Sequence, residues 1–177
     1  MAPNETTLRP HPCEWNLSGW RVEFAARRVA SPMGLHAEEK PIVNTAQKEL
    51  VQTTFARLAV MPEVAGALFY ERLFAENPDF RPLFKNNMRI QGIKLMTMLA
   101  MVVYNLPDQD QVSTAIRDLA VRHAEYGVRS ADYGALREAL LWTLEQALGE
   151  DLTPAVREAW TVCYDNLADE MKAAAGV

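Results

Sequence analysis

Cysteine is scarce in this chain, with only Cys13 and Cys163 among 177 residues. The two lie in segments of different character, and neither has a second cysteine or a histidine at zinc-ligand spacing. The sequence therefore indicates no disulfide framework and argues against a structural zinc site. A reducing cytoplasm is the compartment that we expect for such a protein.

Long apolar runs and an excess of positive charge are also missing. The longest apolar run, near residues 95–103, is too short to cross a bilayer and contains Thr97, so we expect a soluble protein without a membrane partner. The net charge is −5, and residues 41–177 carry all of it because residues 1–40 hold five basic and five acidic side chains. An acidic domain without a basic stripe argues against nucleic acid as a partner.

Strand signals are nearly absent, because no segment alternates clearly between apolar and polar residues and no Asn-Gly turn occurs. The length fits one domain, and a hydrophobic content of 49% is typical of a globular protein. Residues 1–40 contain four prolines without sustained helical periodicity. We expect them to form a flexible N-terminal extension before a domain over 41–177, although Met33 could also be the true start of translation.

Helical patterns begin at Asn44, which can form a capping box with Gln47. A second helix can begin at Pro62, because proline is favoured in the first turn. We expect its inward side chains to be Val64, Leu68, Phe69, Leu73 and Phe74. Further helices are predicted over about 87–105, around His123 up to Gly127, over 132–148, and from Thr153-Pro154 onward. The sequence therefore predicts an all-α fold.

Histidine is scarce too, and His123 is the only histidine after His36. Imidazole is the commonest protein ligand of metals and can bind haem iron. A backbone carbonyl one helical turn earlier, near Leu119, is well placed to hold the other ring N–H. A lone histidine is more often a core residue than a ligand, so its role depends on the motifs around it.

Four motifs follow one another along the chain: residues 69–74 with 77–84, residues 91–96, residues 122–128 and residues 158–160. They resemble, in this order, the second helix and its corner, the distal helix, the proximal segment and the final helix of the globin family. The resemblance covers about residues 44–174 and is strongest to bacterial single-domain globins, including the haemoglobin domain of flavohaemoglobins. The order and spacing of the four motifs make the resemblance quite specific.

The resemblance implies a globin fold of about six to eight helices around a haem b group (iron protoporphyrin IX), with His123 as the axial iron ligand. Tyr70 and Gln91 would face the sixth coordination site as hydrogen-bond donors, and Leu95 would set ligand access. The remaining cofactor-binding residues would be Phe84 as an aromatic wedge, Lys94 or Arg122 at the propionates, and Leu119, Val128 and Tyr133 around the proximal side. The alternatives are ordinary packing for Phe84, another acceptor for Tyr70, and solvated side chains for Gln91, Lys94 and Arg122.

One departure from the flavohaemoglobin pattern concerns the group that orients the proximal histidine. Those domains use a tyrosine, which Tyr133 matches, and a late glutamate, whose place falls at Ala175 when counted without gaps from Trp160. We therefore expect less electron donation through His123. Because the sequence ends soon after its last predicted helix, we also expect no reductase domain, which would argue against a self-sufficient enzyme.

Three functions follow from these observations. The first is a haem protein that binds O₂ and other diatomic gases such as NO and CO reversibly, as a monomer or homodimer. The second is a nitric oxide dioxygenase that uses a separate reductase. The third is a sensor or interaction module, with or without haem, supported only by the extension with Trp15 and Trp20.

Overall fold

The computed structural model describes residues 43–85, 87–106 and 113–177. In these ranges the chain forms six α-helices and two short 3-10 helices, and it has no strand. The α-helices are α1 (Thr45–Ala59), α2 (Pro62–Glu76), α3 (Met88–Tyr104), α4 (Ser113–Glu125), α5 (Asp132–Leu148) and α6 (Pro154–Ala175), and the 3-10 helices are Pro78–Leu83 and Gly149–Asp151. The all-α prediction is confirmed. The extension predicted over residues 1–40 lies outside the described residues.

The helix boundaries follow local sequence signals. The backbone N–H of Gln47 donates to the Asn44 side chain at 2.9 Å. The backbone N–H of Asn44 donates to the Gln47 side chain at 3.0 Å, which completes the predicted capping box. At the start of α6, the Thr153 hydroxyl accepts a single cap bond from the N–H of Val156 at 3.3 Å. Gly149 ends α5 with a φ of 57°, a left-handed value that favours glycine.

Pro62 begins α2, as predicted, but one of the side chains predicted to face inward from that helix is exposed. Val64 is 50% exposed, whereas Phe69 and Leu73 are buried. The first turn of α2 lies at the surface, where Glu63 pairs with Arg89 at 3.0 Å. No helix among the described residues combines the length and the apolar character needed to cross a bilayer.

A buried hydrogen bond joins α1 and α6. The indole N–H of Trp160 on α6, a residue only 1% exposed, donates to the hydroxyl of Thr54 on α1 at 2.9 Å. That hydroxyl donates in turn to the carbonyl of Leu50 at 2.6 Å. A buried N–H without a partner is energetically costly, so these two hydrogen bonds allow the Trp160 side chain to be fully buried.

A smaller apolar cluster holds α4 in place. Ile116, Leu119 and Ala120 of α4 pack with Tyr133 of α5 and with the last turns of α6, contributed by Ala168 and Met171. Burial of this face fixes the rotation of α4 about its axis. The side chain of His123, four residues after Leu119, is consequently turned toward the same interior.

Two glycines allow α2 and α3 to cross with their backbones in contact. A Cβ atom on Gly66 would lie 2.7 Å from the carbonyl carbon and 2.8 Å from the carbonyl oxygen of Gly92. Only glycine therefore fits at position 66 without moving a helix. Tyr70 lies one turn after Gly66 and Gln91 lies next to Gly92, so this contact also fixes how close those two residues come.

Replacing Gly66 with alanine should destabilise the protein by about 1–3 kcal/mol, because the added methyl group meets rigid backbone. Gly134→Ala is the matched control, since Gly134 is helical with open space around its Cβ position, and it should be neutral or stabilising by about 0.5 kcal/mol. Urea unfolding of both variants tests this. Equal stabilities for the two variants would contradict the packing at Gly66.

Candidate functional site

One apolar cavity of about 190 Å³ lies between the helices, and it gathers most of the predicted site residues. Nine of the ten residues predicted to bind metal, cofactor or ligand line it: Tyr70, Phe84, Gln91, Lys94, Leu95, Leu119, His123, Val128 and Tyr133. The tenth, Arg122, is half-buried on α4 and is not among the lining residues. The structure therefore brings together residues that are as far apart as 70 and 133 in the chain.

His123 is held in one orientation by its own helix. Its Nδ1 lies 2.8 Å from the carbonyl oxygen of Leu119, as the sequence predicted. A carbonyl oxygen can only accept, so Nδ1 carries the hydrogen and the lone pair of the neutral ring is on Nε2. Burial lowers the pKa of His123 below its usual value, against an opposing contribution from the Leu119 carbonyl. The ring is therefore neutral at pH 7, the form that can bind a metal.

Two polar side chains from α2 and α3 reach the same cavity. Tyr70 is 8% exposed and Gln91 is 5% exposed, and both line the cavity. The Tyr70 ring meets Phe69 and Phe84 edge-on, with centroid distances of 5.1 Å and 5.2 Å. A phenol and an amide in apolar surroundings form stronger hydrogen bonds than they would in water.

Phe84 follows the 3-10 helix and belongs to an aromatic cluster. Its ring lies 5.3 Å from that of Phe74, and the guanidinium of Arg81 lies 5.4 Å from the Phe74 ring. Arg81 also donates to the Phe84 carbonyl at 2.9 Å. These contacts fix Phe84 at the edge of the cavity.

Tyr133 and Tyr164 form another part of the wall. The Tyr164 hydroxyl donates to the carbonyl of Tyr133 at 2.8 Å. Burial raises the pKa of both phenols, so each keeps its proton at neutral pH. At His123, the structure shows Nδ1–H donating to the Leu119 carbonyl, and the predicted role of Tyr133 in orienting His123 stays a prediction.

The other residues that line the cavity had no role predicted from the sequence. They are Phe69, Leu83, Met98, Leu99, Val102, Tyr126, Leu136, Leu140, Tyr164, Leu167, Ala168 and Met171. Helical spacing was the available signal for several of them, because Met98 and Leu99 lie one turn after Leu95 and Leu136 lies three residues after Tyr133. Spacing alone does not distinguish a cavity wall from an ordinary core face.

Comparison with known proteins gives the class of this fold and site. The family model described as Globin matches residues 67–171. The chain is 31% identical over 126 residues to a flavohemoprotein of Rhizobium meliloti (strain 1021), covering 69% of this chain and 31% of that protein. It is 26% identical over 132 residues to a flavohemoprotein of Pseudomonas putida, covering 72% of this chain and 34% of that protein. The chain thus spans about a third of the length of these curated relatives.

A solved structure agrees with the family match. It is an engineered carbene transferase from Rhodothermus marinus whose parent carries the name of a nitric oxide dioxygenase, and it is similar with a TM-score of 0.69 at 26% identity. The similarity covers 75% of this chain and 93% of that one. This chain belongs to the globin family, similar to the haemoglobin domain of flavohaemoglobins. Because globin helices pack around a haem group, membership of the family implies haem binding.

The residues present fit a haem group. Globins hold the iron through one imidazole, and His123 supplies a neutral ring whose Nδ1 is already anchored. The cavity around it is largely apolar, as a macrocycle requires. Lys94 adds a cation to the lining, which can pair with a carboxylate of the group.

Proposed function

We propose that this globin is a haem protein that binds O₂, and also NO and CO, reversibly at an iron held by His123. The observation that carries the proposal is the placement of a neutral, anchored His123 ring in the same apolar cavity as Tyr70 and Gln91. Haem b would supply a ferrous iron as the site at which the gas binds. The protein supplies the axial nitrogen, the dry surroundings and the hydrogen-bond donors.

Tyr70 and Gln91 have the chemistry to discriminate between ligands. Both are more than nine-tenths buried, and a phenol O–H and an amide N–H can donate to a ligand that gains electron density on binding. O₂ gains more than CO, so these donors favour O₂. Leu95, one turn after Gln91 on α3, presents an apolar side chain to the cavity and would restrict the space beside the ligand.

The other cofactor-binding roles follow from position. Phe84 is fixed by its aromatic neighbours and would pack against the macrocycle. Lys94 lines the cavity and is the better supported partner for a propionate, since Arg122 does not line it. Leu119 and Val128 contribute apolar contacts beside His123.

Removing either donor should speed O₂ release. We expect Tyr70→Phe and Gln91→Leu each to raise the O₂ dissociation rate about tenfold, the equivalent of one hydrogen bond of about 1.4 kcal/mol, while CO release changes much less. Stopped-flow displacement of O₂ from the ferrous protein measures both rates.

Tyr104→Phe is the matched control for these variants. Tyr104 is 54% exposed and lies outside the cavity lining, so its loss should leave both rates unchanged. Equal acceleration of O₂ and CO release in Tyr70→Phe would contradict a donor role and indicate a purely steric one.

A second candidate function is supported by the names of the relatives. Two are flavohemoproteins, and the parent of the solved structure is named a nitric oxide dioxygenase. In that reaction NO, O₂ and one electron give nitrate. We propose that a separate reductase would deliver the electron, and that Tyr70 and Gln91 would hold O₂ in the cavity.

Nitric oxide consumption under turnover tests this second function. With an added reductase, NADH and O₂, we expect the protein to consume NO faster than the same concentration of free haem, with nitrate as product. Gln91→Leu should slow the reaction because it shortens the residence of O₂. A rate equal to that of free haem would remove the enzymatic proposal and leave reversible binding untouched.

A further inference from the structure

Lys172 contacts the ring of Tyr133, a residue that lines the cavity. The ammonium nitrogen of Lys172 lies 5.4 Å from the centroid of the Tyr133 ring. Tyr133 is 4% exposed and lines the cavity, as His123 does. Lys172 itself is only 28% exposed. A cation over an aromatic face at this distance is attracted to the ring, more strongly where water is excluded.

Helix α6 fixes this lysine and the tyrosine together. Lys172 lies in the last turn of α6, where its carbonyl accepts the N–H groups of Gly176 and Val177. Tyr164, two turns earlier on α6, holds the Tyr133 carbonyl at 2.8 Å. The main chain and the ring of Tyr133 are therefore both contacted from the same helix.

Lys172 pairs with a carboxylate that is more exposed than its own side chain. Asp169 lies 3.3 Å from the ammonium and is 49% exposed, against 28% for Lys172, so water screens the carboxylate more than the ammonium. The ammonium lies directly over the buried ring. The positive end of the pair thus faces the interior.

We propose that Lys172 is a positioning residue that pins the Tyr133 ring and places a positive charge beside the cavity, which raises the reduction potential of the iron that His123 would hold. This inference rests on the proposed function. A nearby cation favours the iron state with less positive charge, which is the ferrous, gas-binding state.

A charge series measured by spectroelectrochemistry on the full-length haem-loaded protein tests the electrostatic part. The reduction potential should move to more negative values in Lys172→Met, and further in Lys172→Glu. It should stay unchanged in Lys172→Arg and move to more positive values in Asp169→Asn. Lys48→Met is the matched control, because it removes the same charge from α1 outside the cavity lining, and it should cause no shift.

Haem-free protein tests the positioning part separately. In urea unfolding, the losses of stability from Lys172→Met and Tyr133→Leu should be non-additive, because each variant removes the same contact. Additive losses would overturn the positioning role. A potential in Lys172→Met equal to that of wild type, or matched by Lys48→Met, would overturn the electrostatic role.

These outcomes separate the inference from the proposed function. If the wild-type protein takes up no haem, the proposed function and the effect on the reduction potential both fail. The contact between Lys172 and Tyr133 is still tested by the urea unfolding of the haem-free variants. If haem is taken up with an unchanged Soret band but the potentials do not follow the charge at position 172, only the present inference fails.

Discussion

The hydrogen bond between the His123 ring and the Leu119 carbonyl is the interaction on which the site depends. It fixes the tautomer and the rotation of the ring. Burial then keeps the ring neutral, because it lowers the pKa of His123. An imidazole that is neutral, oriented and exposed to an apolar cavity is the ligand that a haem iron needs. Without that bond, neither the tautomer nor the orientation of the His123 ring would be fixed for binding iron.

The rest of the fold serves to bring donors from distant helices to that cavity. The contact of Gly66 with Gly92 lets α2 and α3 approach closely enough to present Tyr70 and Gln91 together. The apolar face of α4 packs on α5 and α6 and carries His123 with it. At the far end of α6, Lys172 adds a charge beside the cavity, so the electrostatics of the site also depend on the last helix.

Much of this arrangement could be predicted from the sequence, because local chemistry determines helix ends. Asn44 with Gln47, and Thr153 with Pro154, mark helix starts by side-chain bonds that need no tertiary structure. Val64 was misplaced because a periodic apolar stripe does not show where a helix leaves the core. Lys172 could not be found in advance, since its contact with Tyr133 joins residues 39 positions apart that only helix packing brings together. The resemblance supplied the roles of the site residues, and the structure supplied their common cavity.

The measurement that tests the central claim most directly is the absorption spectrum of a haem-reconstituted His123→Gly variant. The wild-type protein should give a five-coordinate ferrous spectrum. The variant should lose that spectrum while keeping its helical circular dichroism, and added free imidazole should restore it by taking the place of the missing ring. A variant whose ferrous spectrum is identical to that of the wild type without imidazole would contradict the assignment of His123 as the iron ligand.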